Sequence, residues 1–499
     1  MVEAAIRFEL EKILPGYLKT CRWFGGKARK LAGISIEQVL NLRSKFSQRN
    51  FELLVLKIKY QSGKSEEYLL PVTEIPSAEN IPEKGIITKT NRGFLIDAIY
   101  DEDFRKEIFS LLFHSEIVKQ KSGSIIFERG IGFSEEGFSP HIPSRVLDAD
   151  QSNSSIIYDE RYFLKLYRKL FRETNPDVEM VKFLSEKALF THIPAFAGTF
   201  YRKKTSGVPI TFGMMQQKVE AVKDVWSLCG DYLNEFLHSL KEEKMVIPKA
   251  SIEQALFLGT RTAEMHLALA GDSVDAAFAP EKFNDNYCDW LLNNCDSLLK
   301  KRLRLTKDCY SSLDEEGRTL SKFFFSNQPK IREFFFLIRK KNLPGLRTRI
   351  HGDYHLGQLL FTGSDYVILD FEGEPESSIA ERKIKHSPLK DVAGMLRSFH
   401  YAVSAKLYFS EESKNFSGEK IESAVTGWYE EVSTKFMKSY WETMSTGQIL
   451  SENKRENEFL LQFHLLEKAI YELGYELNSR PAWVKIPLKG IQHVLSQIT

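Results

Sequence analysis

The sequence is short of several things that would have assigned it quickly. Its five cysteines (Cys21, Cys229, Cys288, Cys295, Cys309) are scattered, odd in number and without CxxC spacing, so neither a zinc site nor a disulfide framework is expected and a reducing compartment fits better. No stretch approaches 18 consecutive apolar residues, the length a membrane helix needs. The start, "MVEAAIRFELEKILPGYLK", has acids throughout and no apolar core, so it does not read as a secretory signal. Charge of one sign is missing too: 69 Lys+Arg stand against 67 Asp+Glu, a formal +2, which gives no reason to invoke nucleic acid or an acidic membrane. Internal repeats and low-complexity tracts are absent. What remains is a cytoplasmic globular protein whose 499 residues suggest two to four domains or subdomains.

The first half reads as strands. "FELLVLKIKY" (51–60) alternates, "EEYLLPV" (66–72) follows the turn signal Ser62-Gly63, and "RGFLIDAIY" (92–100) and "GSIIFERG" (123–130) continue the pattern. "SSIIY" and "RYFLKLYRKL" flank Asp159-Glu160 as a hairpin. "NPDVEMVKFLSEK" (175–187) reads as a helix capped by Asn175, with Pro176 at its first position and Asp177 and Glu179 complementing its dipole. From about 220 the pattern turns helical: "SIEQALFLGTRTAEMHLALA" opens with Ser251 and Gln254 spaced as a capping box, "SPLKDVAGMLRSFHYAVSA" covers 387–405, and longer helices cover 421–445 and 456–477. One β-rich island at 346–372 interrupts them.

That island holds "HGDYHLGQLLF" (351–361) followed by "VILDFEGEP" (367–375). Unpaired carboxylates beside a buried strand cost several kcal/mol, so something must compensate them. Phosphoryl transfer from ATP needs a carboxylate near the attacking hydroxyl, oxygen ligands for a hard cation, and a cation on the other phosphates. Asp353 and Gln358 have the five-residue spacing of base and metal-binding Asn in the protein-kinase catalytic loop. Asp370 closes "VILD" as the metal-binding Asp of DFG does. Gln for Asn, and Asp370-Phe371-Glu372 for DFG, both keep an oxygen ligand in place. The alternative is a β-hairpin whose polar loop residues cap a neighbouring helix.

The sheet-rich half supplies candidates for the nucleotide. Lys165 sits mid-strand in "YFLKLY" as an anchor for phosphate oxygens, and Glu179 is its expected partner; the alternative is a surface lysine and a dipole-favoured acid. "DQSNSSIIY" stands where a glycine-rich loop would lie but has no glycine, so phosphate contacts there fall to backbone N–H groups and the hydroxyls of Ser152, Ser154 and Ser155. "GMMQQKVE" (213–220) separates the halves, with Gln217 and Val219 as candidates for reading adenine through the backbone, or simply a strand end and linker.

"HGDYHLGQLLFTGSDYVILDFEGEP" with "ERKIKHSPLKDVAGMLRSFHYA" behind it resembles the maltokinases, members of the protein-kinase-like superfamily that includes aminoglycoside phosphotransferases. The likeness extends to "RWFGGKAR" (22–29), "DQSNSSIIYDERYFLKLYRKL" and "YELGYELNSRPAWVKIPLKGI" (471–491). It implies an α+β, bilobal protein-kinase-like fold: an N-terminal cap subdomain (1–90), an ATP-binding subdomain (91–215) and a mostly helical C-lobe (216–499). It also implies phosphorylation of maltose at its anomeric hydroxyl with ATP and Mg2+, giving maltose 1-phosphate for α-glucan synthesis. Asp353 would be the catalytic carboxylate, Gln358 and Asp370 the magnesium ligands, and Lys165 the phosphate contact paired with Glu179. His351 and Asp391 would brace the catalytic loop, and Glu372, Glu374 and Arg382 would line the sugar pocket. His355 is open between substrate contact and packed loop histidine. Tyr401 and Trp483 are open between stacking on a glucose ring and core packing. Rival readings are a glucosamine or glucose kinase on the same scaffold, and a non-catalytic scaffold docking onto a trehalose synthase.

Overall fold

The structure is a computed structural model that describes residues 4–47, 49–134, 139, 142–147, 153–204, 207–241, 245–411, 413, 416 and 418–498. The chain forms two compact units, Met1–Val219 and Glu220–Thr499.

The first unit runs α1 (Ala4–Thr20), β1 (Leu31–Arg43), β2 (Asn50–Tyr60), β3 (Glu66–Ile75), β4 (Ile86–Thr90), β5 (Gly93–Asp97), α2 (Glu102–Phe113), β6 (Ile117–Gln120), β7 (Gly123–Arg129), β8 (Ser144–Val146), β9 (Ser154–Tyr158), β10 (Tyr162–Leu166), β11 (Lys169–Leu170), α3 (Pro176–Glu186), β12 (Phe196–Lys203) and β13 (Ile210–Gln217). One antiparallel sheet has the order β1-β2-β3-β5-β4, and a second has β6-β7-β12-β13-β10-β9-β8. Period-two alternation in β2 divides its side chains between two cores: Leu54, Leu56 and Ile58 pack with Leu14 and Leu18 of α1, while Leu53 and Val55 face Phe104 and Phe109 of α2. The sheets meet where β11 pairs with β3. The hairpin at Asp159-Glu160 is a tight turn with both residues at positive φ, 50° and 49°, the handedness that matches strand twist. Helix α3 is capped as its sequence predicts, Asn175 Oδ1 accepting from Asp177 N at 2.9 Å.

The second unit runs β14 (Lys223–Asp224), α4 (Val225–Lys241), α5 (Lys249–Leu269), β15 (Glu281–Lys282), α6 (Asp285–Cys309), α7 (Glu315–Ser326), α8 (Gln328–Phe336), β16 (Leu346–Arg347), β17 (Leu359–Phe361), β18 (Tyr366–Ile368), α9 (Ile379–Arg382), α10 (Leu389–Phe409), α11 (Gly418–Met444), α12 (Lys454–Ser479) and α13 (Lys485–Gln497). Two expectations shift. Helix α5 begins at Lys249, with Pro248 as its N-cap; Ser251 N already bonds Pro248 O at 2.9 Å, so Ser251 and Gln254 lie buried inside the helix instead of forming a capping box. The β-rich island is mostly loop, because the backbone of 351–352 binds a helix side chain and 356–358 form a 3-10 turn. Among the described residues no helix is long and apolar enough to cross a membrane.

Candidate active site

The loop 351–358 is held from below by one carboxylate. Asp391, in the first turn of α10 and 1% exposed, accepts from His351 N at 2.7 Å, Gly352 N at 2.9 Å and His266 Nε2 at 3.1 Å. Burial would raise the Asp391 carboxyl, but the bonds and charge of His266 and the loop N–H groups outweigh it and hold it below the usual range. Gly352 has φ +86°, and a Cβ there would stand 3.2 Å from Gly373 Cα, so glycine is the residue that fits. His351 ties loop to strand: Nε2 donates to Leu369 O at 2.7 Å, Nδ1 accepts from Asp353 N at 3.3 Å, and the ring lies 4.8 Å from that of Phe371. His351 and Asp391 therefore do brace the loop.

Above this floor the acids meet one ammonium. Lys468 of α12 donates to Asp353 Oδ1 at 3.2 Å and to Glu374 Oε1 at 3.0 Å. Burial disfavours its charge, but Glu374 and Asp353 more than compensate and push its pKa well above the ordinary value. Beside this trio lies a cavity of about 230 Å³ within the second unit, lined among others by Trp290, Arg302, Glu374, Glu376, Lys468 and Tyr471. Arg302 reaches its wall through a slot left by Gly474, where a Cβ would stand 2.1 Å from the guanidinium carbon. It pairs with Glu376 at 3.0 Å.

Gln358 and Asp370 flank the end of the β17–β18 hairpin. Leu359 pairs with Ile368, and Leu369 N bonds Gln358 O at 2.9 Å, so Gln358 lies opposite Leu369 and Asp370 follows one residue on. Asp370 has φ +65°, a conformation that costs a non-glycine residue energy and clusters at functional sites. An amide oxygen and a carboxylate fit a hard divalent cation.

The other expected sugar contacts divide. Glu374 lines the cavity. Arg382 donates to the carbonyls of Ser377 (3.0 Å), Glu372 (3.3 Å) and Pro375 (3.0 Å), and so clamps the turn that carries Glu372 and Glu374. His355 caps the 3-10 turn, Nδ1 accepting from Gly357 N at 3.1 Å, and burial lowers its pKa. Tyr401 and Trp483 lie outside the cavity lining. Trp483 stacks on Phe409 at 4.6 Å, carries Arg480 over its ring at 4.5 Å and stacks with Tyr401 at 6.4 Å; the Tyr401 hydroxyl donates to Glu476 at 3.2 Å. Tyr401 and Trp483 are both half-buried, and Phe409 beside Trp483 is exposed, so they form an aromatic cluster near the surface.

In the first unit Lys165 lies mid-β10, and its Nζ donates to Asp177 Oδ2 at 2.8 Å. The expected acid, Glu179, is two residues further along the same first helical turn. Ser152 lies outside the described residues. Ser154 and Ser155 are buried in β9 and not in a loop, and Ser154 Oγ accepts from Arg168 Nε at 2.7 Å. Gln217 ends β13, its backbone N already bonded to Ala195 O at 2.9 Å and its Nε2 to Gly132 O at 3.0 Å; Val219 follows as the last residue of the unit.

Sequence reasoning missed Lys468, Tyr471, Arg302 and Trp290. Lys468 and Tyr471 sit three apart in "LEKAIYEL", a spacing that puts them on one helix face, but nothing local ties that face to a loop 115 residues away.

Comparison with known proteins agrees with this architecture. The family model for the maltokinase N-terminal cap domain matches residues 17–101. A glucosamine kinase from Streptacidiphilus jiangxiensis is 22% identical over 72% of this chain and 75% of its own length. One from Mycolicibacterium smegmatis is 29% identical over 30% of this chain and 35% of its own. A solved glucosamine kinase in complex with glucosamine, ADP and inorganic phosphate superposes with TM-score 0.65 at 15% identity, covering 96% of this chain and 98% of that one. The chain thus shares the α+β fold of that solved glucosamine kinase and carries, at 17–101, a match to the maltokinase N-terminal cap domain.

Proposed function

We propose that this protein transfers the γ-phosphoryl group of ATP to the anomeric hydroxyl of a neutral sugar, with maltose as the substrate and maltose 1-phosphate and ADP as products for α-glucan synthesis. One observation carries the choice of a neutral sugar: the Lys468 ammonium bonds both Asp353 and Glu374 at the edge of the cavity. An amine brought there would meet a fixed cation, whereas hydroxyls can donate to the two carboxylates and accept from the ammonium. In this reading Asp353 orients the C1 hydroxyl and takes its proton as the oxygen attacks phosphorus in line. Gln358 and Asp370 hold magnesium, which when bound neutralises charge on the phosphate oxygens. Lys165, fixed by Asp177, contacts phosphate oxygens from the first unit, and the backbone around Gln217 and Val219 is the candidate reader of adenine. Positioning and fixed charge supply most of the acceleration.

The second reading is glucosamine phosphorylation, favoured by the acids Glu374 and Glu376 on the cavity wall and by the relatives named above. An ADP-release assay with maltose, glucose and glucosamine decides between them. Maltose should give the highest kcat/KM; a preference for glucosamine would overturn the neutral-sugar assignment. Docking onto a trehalose synthase is a further proposal, tested by co-elution of the two purified proteins.

A further inference from the structure

Helix α12 presents four polar residues to the cavity at helical spacing: His464, Glu467, Lys468 and Tyr471. Lys468 faces the reacting end, where Asp353 sits. His464, one turn earlier, is 1% exposed and lies on the wall shared with Lys390, Glu467 and His386. Its Nδ1 stands 2.8 Å from Glu467 Oε2. Burial works against the charge of Glu467, but Lys390 (3.0 Å away) and His464 outweigh it, so the carboxylate stays ionised. Facing a carboxylate, Nδ1 carries a proton and donates, which leaves Nε2 as the ring atom in need of a partner. That Nε2 is buried and finds no hydrogen-bond partner among the described residues. A buried polar atom with no partner costs about 1–3 kcal/mol, and in a native protein such an atom calls for an explanation.

We propose that His464 is a specificity-determining residue, whose Nε2 forms a hydrogen bond with a hydroxyl of the sugar unit distal to the one phosphorylated. The inference rests on the sugar-kinase reading above. Glu467 holds the ring through Nδ1 and Lys390 fixes Glu467, so the ring is set before substrate arrives. A sugar with a hydroxyl at that point satisfies the orphan atom; a sugar without one leaves it buried and unpaired. The contact favours a substrate with a second ring over a monosaccharide, because the reacting hydroxyl belongs at Asp353, one helical turn of α12 away.

The test uses the full chain and three proteins: wild type, His464→Phe, which keeps a ring and removes its nitrogens, and His464→Gln, whose terminal amide reaches the Nε2 position. His464→Phe should raise KM for maltose about tenfold, the worth of one hydroxyl hydrogen bond. Its kcat and its KM for ATP should stay within about a factor of three of wild type, and His464→Gln should recover part of the loss. A series of maltose analogues, each lacking one hydroxyl of the non-reducing ring, supplies a readout that simple destabilisation would not move. Wild type should lose about tenfold on one analogue, and His464→Phe should lose nothing further on that same analogue. Unchanged maltose KM in His464→Phe, or equal penalties for every analogue in both proteins, would overturn the assignment while leaving the kinase reading intact. No turnover of any sugar by wild type would overturn the kinase reading and this inference with it.

Discussion

Two buried charge clusters, one in each unit, show how differently a protein treats charge that holds it together and charge that it uses. In the first unit Arg168 and Asp97 are fully covered, Nη2 to Oδ2 at 2.5 Å. The guanidinium also donates to Ser154 Oγ at 2.7 Å and to Leu69 O at 3.4 Å, and lies 4.6 Å from the Trp23 ring centre. One cation meets one anion, and the pair fastens β9 to the cap sheet. In the second unit the Lys468 ammonium faces two carboxylates, Asp353 and Glu374, and the cluster opens on a cavity. The balanced cluster has no work left to do. The unbalanced one carries a surplus acid that must be met by donors from outside, which is what a substrate hydroxyl provides.

Substitutions separate the two. Asp353→Asn should lower turnover by about 10²- to 10⁴-fold with the denaturant midpoint unchanged; near-normal turnover would remove Asp353 from the chemistry. Arg168→Met should do the reverse, costing about 3–5 kcal/mol of stability by stranding Asp97. The double change Arg168→Met with Asp97→Leu should recover much of it in urea unfolding, and a single-variant loss under about 1 kcal/mol would show that the pair is not a clamp.

Histidines sharpen the comparison, because burial without a carboxylate partner keeps them neutral. His386 and His400 are pushed well below the ordinary value, first by burial and then by Lys390 and Arg397 respectively. The unfolded chain takes these protons near pH 6.5 while the folded chain refuses them. Their contribution is therefore complete above about pH 6.5 and is lost as pH falls below it. The unfolding midpoint should drop between about pH 7 and pH 5; a flat profile over that window would contradict it. The smallest effect belongs to Tyr401→Phe, which removes one hydroxyl bond to Glu476. It should cost no more than about 1.5 kcal/mol and leave sugar KM untouched, since Tyr401 is outside the cavity lining; a raised sugar KM would return it to the site.

The sequence announced the parts of the site that lie close along the chain. His351, Asp353, Gln358 and Asp370 share a loop and the hairpin that follows, and hydrogen-bond register sets Gln358 opposite Leu369, the residue before Asp370. The cap at Asn175 and the mid-strand position of Lys165 were legible for the same reason. Asp177, which accepts from Lys165 at 2.8 Å, was not read as a partner beside Glu179. A step of two along a helix is a rotation of about 200°, and only the packing of α3 decides which first-turn acid faces the strand.

Spacing, strand alternation and helix caps are local properties, and the residue order determined them: the element order, the loop 351–358 and the oxygen-bearing side chains of Asp353, Gln358 and Asp370 in and after it. The rest needed the folded chain. Lys468 finds Asp353, Arg302 passes Gly474, and His464 keeps an unpartnered Nε2 because helices far apart in sequence pack around one cavity. Such meetings are settled by how side chains fill space against one another, and no pattern of neighbouring residues encodes which distant helix will supply the opposite charge.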